Sequence, residues 1–112
     1  MSKPSKPSME TYQRHVLVCI GEKCNGSING LDLFNKLKEK LADAGLDKGK
    51  ARILRNKAVC LGVCQSGPIL CIQPDGVWYY NITIDKLDRI INEHLVAGNP
   101  VREWVFHENP ST

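Results

Sequence analysis

The stretch Val59-Cys60-Leu61-Gly62-Val63-Cys64-Gln65-Ser66-Gly67-Pro68 puts two cysteines in one tight, glycine-bearing loop. A second pair lies upstream, in the stretch Cys19-Ile20-Gly21-Glu22-Lys23-Cys24-Asn25-Gly26. The spacing is therefore C-x4-C, then 35 residues, then C-x3-C. Two close pairs of thiols, each with glycine beside it, predict a single site with four thiolate ligands.

The chain as a whole has the length and composition of one globular domain. It has 112 residues and a net charge of +3, and no apolar run approaches the length of a membrane span. The start of the chain carries lysines with no hydrophobic segment after them, so it is not a secretory signal. We therefore expect a cytoplasmic protein without membrane insertion. In that reducing compartment, paired cysteines are metal ligands or redox groups more often than disulfides.

Positive charge clusters before the second cysteine loop, at Lys48, Lys50, Arg52, Arg55 and Lys57. One interpretation is a solvated edge strand whose charges prevent aggregation. The other is a docking patch for an acidic partner. Nucleic-acid binding is not predicted, because the stretch has no recognition-helix pattern and no interleaved aromatic residues.

The pattern of apolar and turn-forming residues divides the chain into a tail and one domain. Residues 1–11, rich in Pro, Ser and Lys, are predicted to be a disordered N-terminal tail, and residues 12–108 the folded domain. The predicted elements are a strand over 14–19, a loop over 19–30, a helix over 30–44, a strand within 48–58, a hairpin of strands 68–73 and 77–82, a helix over 84–97 and a short final element over 101–106. This β-α-β-β-β-α order predicts an α/β fold with a small mixed sheet and two main helices.

Each predicted helix has one apolar face and recognisable ends. The first is expected to bury Leu31, Phe34, Leu37, Leu41 and Ala44, and to end at Gly45. The second is expected to bury Ile84, Leu87, Ile91 and Leu95, with Thr83 as its N-cap. Between the hairpin strands, Pro74-Asp75-Gly76 is a sound turn sequence.

Four thiolates can complete the coordination of iron in a cluster or of a single zinc ion. Four glycines are placed so that backbone N–H groups can approach sulfur, although plain turn geometry also explains them: Gly21, Gly26, Gly62 and Gly67. A structural zinc site stays open, but neither pair has the two-residue spacing of a zinc knuckle. A dithiol oxidoreductase usually has a C-x-x-C motif, and neither pair has that spacing. A set of unrelated buried thiols is a poor explanation, because chance rarely places two cysteine pairs in loops that contain glycine. The pattern favours an iron–sulfur site.

On these residues the chain resembles the thioredoxin-like 2Fe–2S ferredoxins. The same domain forms the C-terminal half of the small iron–sulfur subunit of respiratory NADH dehydrogenases and related hydrogenases. The resemblance runs from about His15 to Val105. Beyond the cysteines, it includes the hairpin segment from Gly67-Pro68 to Trp78-Tyr79 and the last helix with its exit, from Ile82 to Val101.

This resemblance implies a thioredoxin-like fold and a 2Fe–2S cluster ligated by Cys19 and Cys24 on one loop and by Cys60 and Cys64 on the other. It implies one-electron transfer to redox partner proteins, with no catalytic residue, and it suggests a homodimer. The short C-x4-C spacer is that of the complex subunit, yet the helical domain preceding it there is missing, so we interpret the chain as a stand-alone ferredoxin. The alternative is a non-redox zinc- or cluster-binding interaction or assembly module.

The fifth cysteine, Cys71, stands apart from both loops. It lies in the middle of the apolar run Pro68-Ile69-Leu70-Cys71-Ile72 and has no glycine loop of its own. A free cysteine in such a run behaves as a small buried hydrophobe. We therefore predict a packing role for Cys71, against the alternatives of a replacement ligand or an oxidation-sensitive thiol.

Overall fold

A computed structural model describes residues 3–21, 29–63 and 65–110. Cys24, Gly26 and Cys64, which the sequence assigns to the site, lie outside the described residues. In chain order the elements are β1 (Arg14–Cys19), α1 (Gly30–Asp43), β2 (Ile53–Ala58), β3 (Leu70–Gln73), β4 (Val77–Tyr79), α2 (Ile84–Arg89) with a π-helical continuation (Ile90–Val96), a 3-10 turn (Arg102–Trp104) and β5 (Val105–Glu108).

The strands form one mixed sheet in the order β2-β1-β3-β4-β5. β1 and β2 are parallel, joined through α1, whereas β3, β4 and β5 continue the sheet antiparallel to their neighbours. The predicted β-α-β-β-β-α order is confirmed. The predicted final element is present as the 3-10 turn followed by β5, which pairs with β4 and adds a fifth strand.

Both helices cover the same face of the sheet. Alternate strand residues, among them Val16, Val18, Leu70 and Ile72, join the buried residues of both helices in one hydrophobic cluster. This alternation is the period of two that a strand requires when one face is buried. The second helix buries Leu87, Ile91 and Leu95 as predicted, and Ile90 and His94 in addition.

The predicted buried face of α1 is partly wrong. Leu31 is 40% exposed, whereas Leu33 is fully buried. The buried residues Leu33, Leu37 and Leu41 are spaced by four, and Leu31 lies roughly 200° around the helix from Leu33. Ala44 is exposed because it is the C-cap rather than part of the helix face. Phe34 is only half-buried, at the side of α1 that borders β2.

Several local predictions hold at the ends of these elements. Gly45 follows the C-cap of α1 with a φ of +72°, and Asp75 and Gly76 form the turn between β3 and β4. β2 lies at the edge of the sheet, as the edge-strand interpretation of the basic stretch requires. The division into a tail over 1–11 and a domain over 12–108 stays a prediction. Within the described part of the chain, no helix has the length and apolar character needed to cross a bilayer.

Candidate metal centre

The two cysteine loops begin at the same edge of the sheet because β1 and β2 run in parallel. Cys19 is the last residue of β1 and is paired with Ala58, the last residue of β2. The Ile20 amide donates to the Ala58 carbonyl oxygen at 2.8 Å, which extends the pairing by one step. Cys60 follows only two residues after Ala58. Of the predicted ligands, the structure therefore brings Cys19 and Cys60 to one edge.

The backbones of the two loops touch where Gly21 meets Val59. A Cβ built on Gly21 would lie 2.3 Å from the Val59 carbonyl oxygen, a distance that no side chain tolerates. The Sγ atom of Cys19 lies 3.9 Å from the same oxygen. Gly21 is thus required for the close approach of the loops, rather than as an observed donor to sulfur. This contact holds the residue next to Cys60 beside Cys19.

Cys60 differs from Cys19 in exposure and in its hydrogen bonding. Cys19 is buried, and its amide donates to the Ile69 carbonyl oxygen at 3.0 Å. Cys60 is exposed, and the Gly62 amide donates to its Sγ atom at 3.2 Å. Gly62 has a φ of +84°, which an L side chain rarely adopts. The predicted N–H···S contact is confirmed at Gly62, whereas Gly67 is buried in the chain leading to β3.

The amino-terminal end of α1 packs against Cys19. A Cβ on Gly30 would lie 2.2 Å from the Cys19 carbonyl oxygen, so this first residue of the helix sits directly on the strand end. The Asn29 side chain caps the helix by accepting from the Leu31 amide at 2.7 Å. Because the amino terminus of a helix carries partial positive charge, it favours negative charge in its surroundings. A negatively charged ligand group placed beside Cys19 would gain from that field.

A small apolar cluster packs against the protein side of the two loops. Cys19 and Ile69 are its buried members, and Leu61, Val63 and Trp78 pack against them. Leu61 and Val63 alternate with Cys60 and Gly62 in the second loop, and their side chains anchor the loop on this cluster. The arrangement suits a site that is shielded on the protein side and open at Cys60.

No family model matches the chain. It is 30% identical over 101 residues to a protein named "Ferredoxin, 2Fe-2S" from Clostridium pasteurianum, and the match covers 84% of this chain and 96% of the relative. The chain belongs to the thioredoxin-like 2Fe–2S ferredoxin family. A further relative, named "Ferredoxin, 2Fe-2S" and from Aquifex aeolicus, is 26% identical over 104 residues, covering 83% of this chain and 88% of that protein. The family resemblance read from the cysteine pairs is thereby confirmed.

Solved structures agree on the fold. The wild-type thioredoxin-like [2Fe-2S] ferredoxin from Aquifex aeolicus superposes with a TM-score of 0.71 at 26% identity, covering 88% of this chain and 99% of that one. A cysteine-to-serine variant of the same ferredoxin gives a TM-score of 0.74 at 26% identity, covering 85% and 99%. The predicted thioredoxin-like fold is confirmed. Ferredoxins transfer electrons rather than catalyse reactions, so the prediction that this member is not an enzyme is confirmed too.

The fifth thiol of this ferredoxin lies in the sheet, as the sequence predicts. Cys71 is fully buried in β3, between Leu17 of β1 and Trp78 of β4. Burial raises the pKa of Cys71 to about 11, and a hydrogen bond from the Gln73 side chain at 3.2 Å only partly opposes this. The thiol is therefore protonated at neutral pH, which suits a packing role.

The sequence did not single out a buried polar chain that runs from Tyr79 in β4 to Asp75 and Arg14 at the opposite end of the sheet. The Val101 amide donates to the Tyr79 hydroxyl at 3.0 Å, and that hydroxyl lies 2.7 Å from Nδ1 of His94. Nε2 of His94 lies 2.6 Å from Oδ2 of Asp75, which also accepts from Nε of Arg14 at 3.0 Å. A neutral His94 protonated at Nε2 satisfies every atom of this chain. A signal for His94 was present in the sequence. His94 follows the buried Leu87 by seven residues, or two helical turns, so both residues lie on the same face of the helix.

Proposed function

We propose that the chain binds a 2Fe–2S cluster through Cys19, Cys24, Cys60 and Cys64 and serves as a one-electron carrier. The observation that carries this proposal is the contact between the two loops at Gly21 and Val59. Two chain segments separated by about forty positions touch where each delivers a cysteine. The names of the relatives in Clostridium and Aquifex support the identity of the group.

The described residues fit such a group chemically. Thiolates are the usual ligands of iron in clusters. The Gly62 amide already points at Sγ of Cys60, and amide donors to sulfur reduce the electron density on the ligand and help set the reduction potential. The partial positive charge at the amino terminus of α1 offsets the negative charge that four thiolates bring.

When bound, the cluster supplies the one-electron redox chemistry. The chain's own residues hold it, exclude water on one side and leave the other side accessible. Cys19 and Ile69 form the buried side, and Cys60 lies at the surface. A partner therefore approaches from the Cys60 side. No proton transfer by a side chain is needed.

Metal content and redox behaviour of the anaerobically purified protein test this function. We expect about two iron atoms and two acid-labile sulfides per chain, as the 2Fe–2S formula requires. The visible spectrum should bleach with dithionite, with uptake of one electron per chain, and should return on reoxidation. Stoichiometric zinc, or a spectrum that does not respond to reductant, would favour the non-redox module instead.

We further propose a homodimer formed through the sheet face that the helices leave uncovered. Phe106 is 42% exposed and Tyr80 is 38% exposed there. Phe106 makes edge-to-face contacts with Trp78 and Tyr80 at 6.4 and 6.1 Å between ring centroids. Exposed aromatic residues of this kind are enriched at interfaces. Sedimentation velocity should show a dimer for the natural protein and a monomer for Phe106→Glu; identical sedimentation would contradict the interface.

We also propose that the protein works in the cytoplasm as a stand-alone ferredoxin. Cysteines that serve as metal ligands suit a reducing compartment, where stable disulfides are rare. Fractionation of the native cells with an antibody against the chain should place it in the cytoplasmic fraction at its single-chain mass. Recovery in the periplasmic or membrane fraction, or as part of a longer polypeptide, would contradict this.

A further inference from the structure

The second cysteine loop lies in a part of the chain that has no carboxylates. Between Asp47 and Asp75 the sequence contains no aspartate or glutamate, yet it contains the basic residues of the stretch at 48–57. In the described part of the chain, the carboxylate ion pairs use other cations, which are Arg14, Lys36, Lys40, Arg89 and Arg102. The positive charge beside the loop is thus not neutralised by carboxylates within the described chain.

The structure divides the basic stretch into two groups. Lys48, Lys50 and Arg52 precede β2 and lie at the end of the strand away from the thiols. Arg52 is bound to the tail there, donating to the carbonyl oxygens of Glu10 at 2.7 Å and Thr11 at 3.2 Å. Lys57, in contrast, is paired with Val18, the neighbour of Cys19. Lys57 is therefore the member of the stretch nearest the thiol edge, and Arg55, paired with Val16 in the middle of β2, is the next nearest.

Arg55 is held in position by Phe34 of α1. Its guanidinium carbon lies 4.1 Å from the centroid of the Phe34 ring, and its NH1 donates to the Phe34 carbonyl oxygen at 3.3 Å. The Nζ atom of Lys57 lies 6.0 Å from the same ring centroid. A guanidinium stacked in this way loses little further freedom when it binds, and its remaining N–H groups can donate to a carboxylate.

We propose that Phe34, Arg55 and Lys57, here called the Phe34 platform, form the docking surface for a redox partner that presents carboxylates. The proposal rests on the electron-carrier function and names the chemistry of the partner. Charge complementarity supports it, because Arg55 and Lys57 have no carboxylate partner within the described chain. On the α2 side of the molecule, Arg89 is instead paired with Glu93 and Glu103.

The platform is also close enough to the thiols to orient a partner over them. Lys57 precedes Cys60 by three residues, a path of at most about 10 Å along an extended chain. A partner that pairs its carboxylates with Arg55 and Lys57 therefore covers the exposed Cys60 loop. Such charge pairs accelerate encounter, and salt screens them.

Two probes test the platform on the cluster-loaded protein. The first is a fluorescein-labelled hexaglutamate peptide, whose binding is followed by anisotropy and needs no electron transfer. The second is reoxidation of the reduced protein by anionic ferricyanide, compared with cationic hexaamminecobalt(III), between about 10 and 200 mM salt. We expect salt to slow the ferricyanide reaction and to accelerate the cobalt reaction.

Single substitutions show which residues cause the salt dependence and the hexaglutamate binding. Lys57→Glu should slow the ferricyanide reaction and weaken hexaglutamate binding about threefold at low salt. Lys48→Glu makes the same charge change at the far end of the stretch and should alter both by much less. Arg55→Lys keeps the charge but loses the planar fork, so it should weaken hexaglutamate binding while leaving the visible spectrum unchanged.

Three results would overturn the proposal. The first is an equal effect of Lys48→Glu and Lys57→Glu. The second is hexaglutamate binding that Lys57→Glu and Arg55→Lys both leave unchanged. The third is a labelled DNA duplex that binds more tightly than hexaglutamate and whose binding depends on Lys57. Failure of the electron-carrier function is recognised separately. A protein without a reducible visible spectrum would contradict that function, whereas hexaglutamate binding is measured independently of it.

Discussion

The two ends of the sheet contain polar groups of opposite kinds. At one end, Cys19 and Cys60 lie on loops held together by a glycine contact and are accessible at Cys60. A second set, Tyr79, His94 and Asp75, forms a chain of hydrogen bonds that closes within the protein and reaches the other end of the sheet at Asp75. His94 is fully buried in it. The buried polar chain thus stabilises the fold, whereas the thiol edge is where a ligand can bind.

This difference has a simple physical origin. A buried polar group without a partner costs about 1–3 kcal/mol, so a polar chain that must stay inside is satisfied within the fold. A thiol without a hydrogen-bond partner costs less free energy, and thiolates bind soft metals strongly. Cysteines can therefore lie in a surface loop where they bind a metal ion. Damage to the first end should therefore change metal binding, and damage to the second should change stability.

The largest effect is expected from Gly21→Ala. The added Cβ would lie 2.3 Å from the Val59 carbonyl oxygen, so one of the two loops must shift. We expect most of the bound iron to be lost, with destabilisation of about 1–3 kcal/mol. Iron content and the visible spectrum measure the first effect, and chemical denaturation measures the second.

Gly45→Ala is the matched control for that substitution. Gly45 has a φ of +72° with open space around it, at the end of α1. The substitution should cost about 1 kcal/mol of stability through backbone strain and should leave the spectrum unchanged. Equal loss of iron in both variants would mean that the contact at Gly21 has no special role.

In the buried polar chain, Tyr79→Phe should lower the free energy of unfolding by about 1–3 kcal/mol without changing the spectrum. The substitution keeps the ring but leaves the Val101 amide and Nδ1 of His94 without their partner. Tyr80→Phe removes the same hydroxyl from an exposed neighbour and should change stability by less than about 0.5 kcal/mol. A spectral change in Tyr79→Phe would contradict the separation of the buried polar chain from the thiol loops.

A smaller effect is expected from pH. Burial lowers the pKa of His94 in the folded protein below 6.5, although the hydrogen bond and charge of Asp75 oppose this and the charges of Arg14 and Arg102 add to it. The unfolded chain then binds a proton more readily than the folded one. The contribution to stability is complete above pH 6.5 and declines as the pH falls towards the pKa of the folded state.

Unfolding at pH 7.5 and 5.5, both roughly one unit from the ordinary histidine pKa, measures this contribution. The loss of stability on acidification should be smaller in His94→Leu than in the natural protein. His107→Leu removes an exposed histidine, bonded to Asn109, and should leave the loss unchanged. A loss of the same size in all three proteins would show that His94 does not carry it.

The smallest effect is expected from Cys71→Ala. Cys71 is buried between Leu17 and Trp78, and burial raises its pKa to about 11. The variant should keep the full visible spectrum and lose about 1 kcal/mol of stability from the small cavity. In the natural protein, Cys71 should react slowly with iodoacetamide at pH 8. A bleached spectrum in the variant would mean that the thiol takes part in metal binding.

Much of the fold could be predicted because its signals are local. A few consecutive residues specify each of three features: the cysteine pairs, the turn at Asp75 and Gly76, and the end of α1 at Gly45. The buried face of α1 was misassigned at Leu31, because a stripe that starts at Leu31 and one that starts at Leu33 both continue through Leu37 and Leu41. β5 carried only a weak signal, since four residues at the end of the chain gain their strand conformation from pairing with β4.

The rest of the site depends on contacts between distant residues. The Arg14–Asp75 pair spans 61 positions, and the contact of Arg55 with Phe34 spans 21. The approach of Gly21 to Val59 follows from the parallel pairing of β1 and β2, which no short stretch specifies. The four-cysteine assignment itself was available from spacing alone and remains a proposal for Cys24 and Cys64 as much as for Cys19 and Cys60.

Iron and acid-labile sulfide in single cysteine variants test that assignment most directly. Five proteins are purified anaerobically under identical conditions: Cys19→Ser, Cys24→Ser, Cys60→Ser, Cys64→Ser and Cys71→Ala. Each serine variant should lose iron or shift its visible spectrum, whereas Cys71→Ala should retain both its iron and its spectrum. Loss of the cluster in Cys71→Ala, together with an unchanged spectrum in any one of the four serine variants, would contradict the assignment.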